Sequence, residues 1–190
     1  MLVLGSGSPA RKELLTVAGY KPDAVVAPDI DETPENSETH IDYVVRMAAD
    51  KSKKIKVNQH DFLITADTIV VVGRKIVHKT NDVNIAKRNL TLLKGRRHKV
   101  YTAFCVRHQN KVIQGLEKTV LKMKFLTDQD IKEYLETREW QNKAGAYSIQ
   151  GIGISLFLRL NGCYSNVVGL PLPKVISKLI GLGYKKRTCK

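Results

Sequence analysis

Phe62-Leu-Ile-Thr-Ala-Asp67-Thr-Ile-Val-Val-Val72 is an almost unbroken run of β-branched and apolar residues. A strand with one wet face alternates in polarity. A run like this one is what a strand covered on both faces needs, as in a sheet sandwiched between helices. Asp67 interrupts it. An ionised carboxylate inside a buried strand is costly unless a cation or metal answers it. Three answers are open: Asp67 stands at a strand end, pairs with a lysine, or binds a divalent ion. A purely structural ion pair is the plain alternative.

Upstream, Ile41, Val44, Val45, Ala48, Ser52 and Ile55 share one helical stripe and predict a helix over about 41–55. At 100° per residue, Lys51 lies roughly 70° from the centre of that stripe, and Lys53 and Lys54 roughly 130° away. Of this lysine cluster only Lys51 borders the core face, which makes it a natural partner for Asp67 or for a phosphate. Residues 21–40 carry Pro22, Pro28 and Pro34 together with Asp29, Asp31, Glu32 and Glu35, and read as an exposed acidic loop. That loop is able to bring a second carboxylate to Asp67, and two hard oxygen ligands suit Mg²⁺, which keeps its waters for phosphates.

At the N-terminus, Leu2–Leu4 predicts a buried strand, Gly5–Ser8 a turn, and Ser8 the N-cap of a helix with Pro9 at its first position and Gly19 near its end. Ser6-Gly-Ser-Pro-Ala-Arg-Lys12 thus presents free backbone N–H groups, the positive end of a helix dipole and two hydroxyls. Arg11 adds a fork suited to phosphate oxygens, and a cation at a helix start is better explained by a bound anion than by helix stability. An ordinary capped strand–loop–helix remains the simpler possibility, since neither Gly-x-x-x-x-Gly-Lys-Ser/Thr nor Gly-x-Gly-x-x-Gly occurs.

Downstream of Val72, Gly73-Arg74 reads as a turn and Lys75–His78 as a return strand. Ala86, Leu90 and Leu93 mark a helix ending at Gly95, and Lys99–Arg107 and Lys111–Phe125 are strands around a turn at Gln109-Asn110. Thr127 caps a helix through Ile131, Tyr134 and Leu135, Ile154–Leu160 reads as a strand, and Val175–Ile180 forms the core of a last helix. Lys143-Ala-Gly-Ala-Tyr-Ser-Ile-Gln-Gly151 is a glycine-punctuated connector. Its small residues permit close approach of a ligand, and an amide such as Gln150 presents both donor and acceptor to a base. Taken alone it is as well explained as a connector without a ligand. No repeat, linker or sharp boundary divides residues 1–190, so one domain, two-lobed at most, is expected.

Composition narrows the classes. With 43% hydrophobic residues the 190-residue chain supports a real core. No apolar stretch is long enough to span a bilayer, and no export signal is visible, so a cytoplasmic location is expected. The three scattered cysteines, Cys105, Cys163 and Cys189, fit a reducing compartment better than a disulfide framework or zinc site. The net charge of +14 attracts polyanions, nucleic acid and nucleotides alike. The lysines are dispersed apart from Lys51–Lys54 and Lys185-Lys186-Arg187, and aromatics are only 6%, so nucleic acid is not the favoured partner.

These stretches together resemble the Maf family, the septum-formation-inhibitor-like nucleotide pyrophosphatases. The matching segments are Ser6–Leu15, Asp31-Glu32, Arg46-Met-Ala-Ala-Asp-Lys51, Ala66-Asp-Thr-Ile-Val70, Lys79, Gly95-Arg96 with His98-x-Val-Tyr-Thr102, Lys143–Gly151 and Ser165-Asn-Val-Val-Gly-Leu-Pro-Leu172. The resemblance implies an α/β fold of the Maf/ITPase-like kind: a long mixed, twisted sheet flanked by helices, in two lobes with an active-site cleft. It implies hydrolysis of a nucleoside triphosphate to the monophosphate and pyrophosphate, a divalent metal (Mg²⁺ or Mn²⁺) and a homodimer. Carried over by position, Asp67 is the catalytic acid/base, with Glu32 and Lys51 in the same site and Glu32 and Asp67 as metal ligands. Ser6, Ser8, Arg11 and Lys79 match phosphate-contacting positions. Thr68 and Gln150 match the members similar to dTTP/UTP pyrophosphatases, whereas those resembling 7-methyl-GTP pyrophosphatases carry Gln and Glu there.

Two positions depart from the family pattern. Ala10 stands where Arg is usual, at a position associated with pyrimidine selectivity, and His78-Lys79-Thr80 replaces Gly-Lys-Pro. Lys12 points roughly 160° away from Ala10 around the helix and does not replace the charge. A broad-specificity or 7-methyl-GTP pyrophosphatase and, in another class, a non-enzymatic nucleic-acid-binding or division-regulating protein are the alternatives.

Overall fold

The computed structural model describes residues 1–186; Arg187 and Cys189 lie outside the described residues. The chain alternates β1 (Leu2–Gly5), α1 (Pro9–Val17), β2 (Ala24–Val25), α2 (His40–Lys54), β3 (Phe62–Val72), β4 (Lys75–Val77), α3 (Val83–Leu93), β5 (Arg97–His108), β6 (Lys111–Met123), α4 (Asp128–Glu136), β7 (Phe157–Asn161), α5 (Tyr164–Val168) and α6 (Leu172–Gly181). The strands form one open mixed sheet of order β2-β1-β3-β5-β6-β7, with β4 also paired to β3. β1 runs parallel to both β2 and β3, whereas β3–β4 and β6–β7 are antiparallel.

The described residues divide into two compact units. The first comprises Met1–Asp67, Thr102–Glu117 and the chain from Gly169 onward. Its core joins Leu2 and Leu4 of β1, Leu15 of α1, Ile64 and Ala66 of β3, Phe104 and Val106 of β5, and Val175 and Leu179 of α6. The second comprises Thr68–Tyr101 and Lys118–Val168. There Val70, Val72 and Val77 pack with Leu90 and Leu93 of α3, Leu121 and Met123 of β6, Ile131 and Tyr134 of α4, and Trp140. Among the described residues no helix is long and apolar enough to cross a membrane.

β3 spans the predicted stretch residue for residue, and its burial relaxes only at Phe62 and at Asp67-Thr68. β1 pairs with Phe62–Thr65 and β4 with Val70–Val72, so neither pairing includes the segment around Asp67. The carboxylate therefore sits mid-strand, not at a strand end, and within the first unit.

Three expectations are corrected. The buried face of α2 consists of Tyr43, Val44, Met47, Ala48, Lys51 and Ser52, while Ile41 is exposed. The large side chains Tyr43 and Met47 turn the helix so that Lys51 lies near the middle of the stripe instead of at its border. Residues 21–40 are not all loop: Ala24 and Val25 form β2 opposite Val3 and Leu4. Finally, Gly151–Leu156 coils into 3-10 turns and the strand begins only at Phe157. Gly151 has φ +65°, and the amides of Ile152 and Gly153 are engaged by the Glu139 carboxylate, so they cannot join a ladder. The short helix α5 carries no periodic signal in the sequence.

Candidate active site

The helix start forms as its sequence dictates. Ser8 is the N-cap of α1, its Oγ accepting the Arg11 amide at 3.5 Å, with Pro9 in the first turn. Ser6 Oγ accepts the Ser8 amide at 3.2 Å and the Arg11 Nη1 donor at 2.9 Å. Arg11 Nε donates to the Gly169 carbonyl at 2.7 Å. Arg11 is thus buried, and two of its N–H directions are committed to the protein, so an anion is not required to explain a cation at this helix start. Burial pulls its pKa down, while the charges of Asp67 and Glu32 pull it up. Ala10 is also buried and its place on α1 carries no charge, whereas Lys12 is exposed.

Lys51 supplies the central contact. From the buried face of α2 its ammonium donates to Asp67 Oδ1 at 2.5 Å and lies 2.9 Å from Glu32 Oε1. The answer to the mid-strand carboxylate is therefore a lysine, shared with a second carboxylate from the acidic loop. Lys51 is 8% exposed, so this bridge lies where electrostatics are strong.

The acidic loop is held onto α2 by Arg46 and by Tyr43, the second of which no sequence pattern marks. Tyr43 donates its hydroxyl to the Glu32 carbonyl at 2.9 Å. Its phenol is pushed up to about 12, first by burial and then by the negative charge of Asp67 and Glu32. Arg46 grips Glu38 with two bonds of 2.7 Å and donates to the Thr33 carbonyl at 3.1 Å. Asp31 Oδ1 accepts the Thr33 amide, closing a local turn. A cleft of about 930 Å³ opens between this loop and α2, with Asp29, Asp31, Arg46, Asp50, Lys53 and Lys54 in its lining. Tyr43 is legible in the sequence only as an aromatic one turn before Met47, once the helix rotation is known.

Ser6, Ser8, Ala10, Arg11, Glu32, Lys51 and Asp67 all belong to the first unit; Thr68, Lys79 and Gln150 belong to the second. Thr68 is half-buried beside Asp67 in β3, Lys79 is exposed just after β4, and Gln150 is half-buried at the start of the 3-10 segment. Among the described residues the Gln150 side-chain amide makes no hydrogen bond.

The profile of Maf-like proteins matches residues 1–182 of this chain. The chain belongs to the Maf-like protein family. A dTTP/UTP pyrophosphatase of Ruegeria sp. (strain TM1040) is 41% identical over 182 residues, covering 96% of this chain and 94% of the relative. The protein of the same description from Nitrobacter hamburgensis is 44% identical over 195 residues, covering 98% and 94%. That from Roseobacter denitrificans is 40% identical over 185 residues, covering 97% and 98%. For this Maf-like protein the matched residues 1–182 include Ser6–Arg11 and the Glu32, Lys51 and Asp67 of the bridge.

Proposed function

We propose that this chain is a nucleoside triphosphate pyrophosphatase acting on dTTP and UTP or modified pyrimidine nucleotides. The observation that carries the proposal is Lys51 holding Glu32 and Asp67 together, with the charges of both carboxylates acting on the Arg11 guanidinium in the first turn of α1. In the reaction, a water oxygen bonds to the α-phosphorus as the α–β bridging bond breaks, and pyrophosphate leaves with the electron pair. Asp67 takes the proton of that water. Lys51, Arg11 and Lys79, with the N-terminus of α1 and the Ser6 and Ser8 hydroxyls, offset the charge that develops on the phosphates. Thr68 and Gln150 read the base, and Ala10 leaves the start of α1 one cation short of the family pattern.

The donor set fits a divalent ion shared with substrate. Two carboxylates already converge on one cation position, while among the described residues no group of three His, Cys, Asp or Glu offers a complete cage. Glu32 and Asp67 would hold Mg²⁺ or Mn²⁺, which when bound supplies Lewis-acid neutralisation of phosphate oxygens. We also propose a cytoplasmic location and a homodimer. A cytoplasmic thiol state agrees with Cys105, which is unpaired and buried, its thiol pushed up to about 11 by burial.

The test is pyrophosphate release from dTTP, UTP, CTP and 7-methyl-GTP with metal, for the wild type and Asp67→Asn. UTP and dTTP are expected to lead the panel, and Asp67→Asn to lose turnover by about 10²-fold or more. No metal-dependent pyrophosphate release from any of the four would overturn the proposal.

A further inference from the structure

Gln150 sits in a segment whose shape is imposed from one side by α4 and the turn after it. Tyr134 Oη, on α4, accepts the Ser148 amide at 2.8 Å. Ser148 Oγ accepts the amide of Gln150 itself at 3.2 Å. Beyond Gln150, the Glu139 carboxylate accepts the Ile152 amide on Oε1 and the Gly153 amide on Oε2, both at 3.0 Å. The backbone is therefore tied on both sides of a side-chain amide that makes no hydrogen bond of its own among the described residues.

The glycines fit the same frame. A Cβ on Gly151 would lie 2.3 Å from Glu139 Oε1, and its φ of +65° already disfavours any other residue. A Cβ on Gly153 would lie 2.0 Å from the Ser148 carbonyl oxygen. The base of the frame is itself hydrogen-bonded at both ends. α4 begins in a capping box between Thr127 and Asp130. At its other end Thr137 Oγ1 accepts the Glu139 amide, and Trp140 Nε1 donates to the Leu135 carbonyl. Tyr134 and Trp140 are buried in the core of the second unit.

A primary amide offers an acceptor and a donor that exchange places by a half-turn of its last torsion. That exchange lets a lone amide answer either uracil, with its ring N–H and carbonyl, or cytosine, with its ring nitrogen and amino group. Discrimination therefore needs polar groups of fixed direction beside it, and the backbone supplies these only where the segment is held in place. We propose that Glu139, assisted by Tyr134, is a positioning residue for base selection: its carboxylate fixes the Gln150 segment, and with it the preference for a uracil or thymine edge over cytosine. This rests on the pyrophosphatase assignment and on Gln150 as the base reader.

The experiment compares wild type, Glu139→Gln, Glu139→Asp and Tyr134→Phe. Readouts are kcat/KM for UTP and CTP, affinities for α,β-imido analogues of both nucleotides, and amide hydrogen exchange across residues 148–153. Glu139→Gln keeps the size but replaces one charged acceptor by a donor. It is expected to accelerate exchange at Ile152 and Gly153 and to shrink the UTP-over-CTP preference about tenfold. The change is expected mainly in KM, with kcat for UTP held within a few-fold. Glu139→Asp recovers part of the preference, and Tyr134→Phe loses less than Glu139→Gln does. An unchanged preference in Glu139→Gln, in turnover and in analogue affinity, overturns the inference while leaving the hydrolytic assignment standing. Unchanged exchange at Ile152 and Gly153 overturns it as well. If wild type releases no pyrophosphate, the hydrolytic assignment falls, and the analogue affinities still decide whether Glu139 sets base preference.

Discussion

Replacing Lys51 by Met removes the ammonium but keeps most of the apolar stem that α2 buries. Asp67 then faces Glu32 with no cation between them. The Lys51–Asp67 contact is the stronger of the two, with side chains only 10% and 15% exposed at 2.5 Å; stripping one partner from so enclosed a pair costs about 2–3 kcal/mol, somewhat below the range for full burial. The Lys51–Glu32 contact is worth less, about 0.5 kcal/mol, because Glu32 is 35% exposed and water screens it. The sum, about 3 kcal/mol, corresponds to a Tm lower by roughly 6–12 °C for a chain of this size. Urea unfolding followed by circular dichroism measures it, and the double mutant with Asp67→Asn isolates the pair. Since a neutral amide in place of the Asp67 carboxylate needs no cation, the Lys51→Met loss should shrink in that background by about 1.5–3 kcal/mol. A coupling within about 0.5 kcal/mol of zero, or a Lys51→Met loss below about 1 kcal/mol, would refute the bridge as the answer to the mid-strand carboxylate.

Three further outcomes are expected. His98 is buried, and burial pulls its pKa down to about 4 from the ordinary 6.5, so the unfolded chain binds the extra proton first. Stability from the neutral imidazole is full above about pH 6.5 and declines by about 3 kcal/mol as pH falls to about 4; urea midpoints at about pH 7, 5 and 4 should show this slope, reduced in His98→Phe. Gly5→Ala would drive a Cβ to 2.5 Å from Ile55 Cδ1 and 2.6 Å from Thr65 Cγ2, and should cost about 1–3 kcal/mol by the same assay. Tyr43→Phe frees the Glu32 carbonyl from its hydroxyl donor; it should lower stability by about 1 kcal/mol and turnover more than proportionately, read as kcat against Tm.

The fold was legible wherever local chemistry and burial agreed. β3 announced itself because a strand covered on both faces needs no alternation, and α1 because Ser8 and Pro9 state a helix start in two residues. Asp67 and Lys51 could be singled out, since each breaks a local pattern. Their pairing could only be offered as one of several answers, because a 16-residue separation says nothing of distance in space. The rotation of α2 was not legible: Ile41 and Tyr43 compete for the core, and the packing of neighbouring elements, absent from the sequence, decides for Tyr43. Only the end of the 3-10 path, Ile154–Leu156, reads as strand, because it runs without a break into apolar Phe157–Leu160, while the carboxylate that holds the Ile152 and Gly153 amides just before it comes from Glu139.

The ion pairs at the site carry a consequence for how substrate arrives. Arg11 and Lys51 are matched by Glu32 and Asp67, so these four groups contribute nothing to the formal surplus of +14. The long-range pull on a triphosphate comes instead from the dispersed surface lysines, which added salt screens, while the Lys51–Asp67 pair, 10% and 15% exposed, feels salt little. Capture and chemistry thus answer to different charges: raising ionic strength should slow encounter and leave the bound step almost untouched.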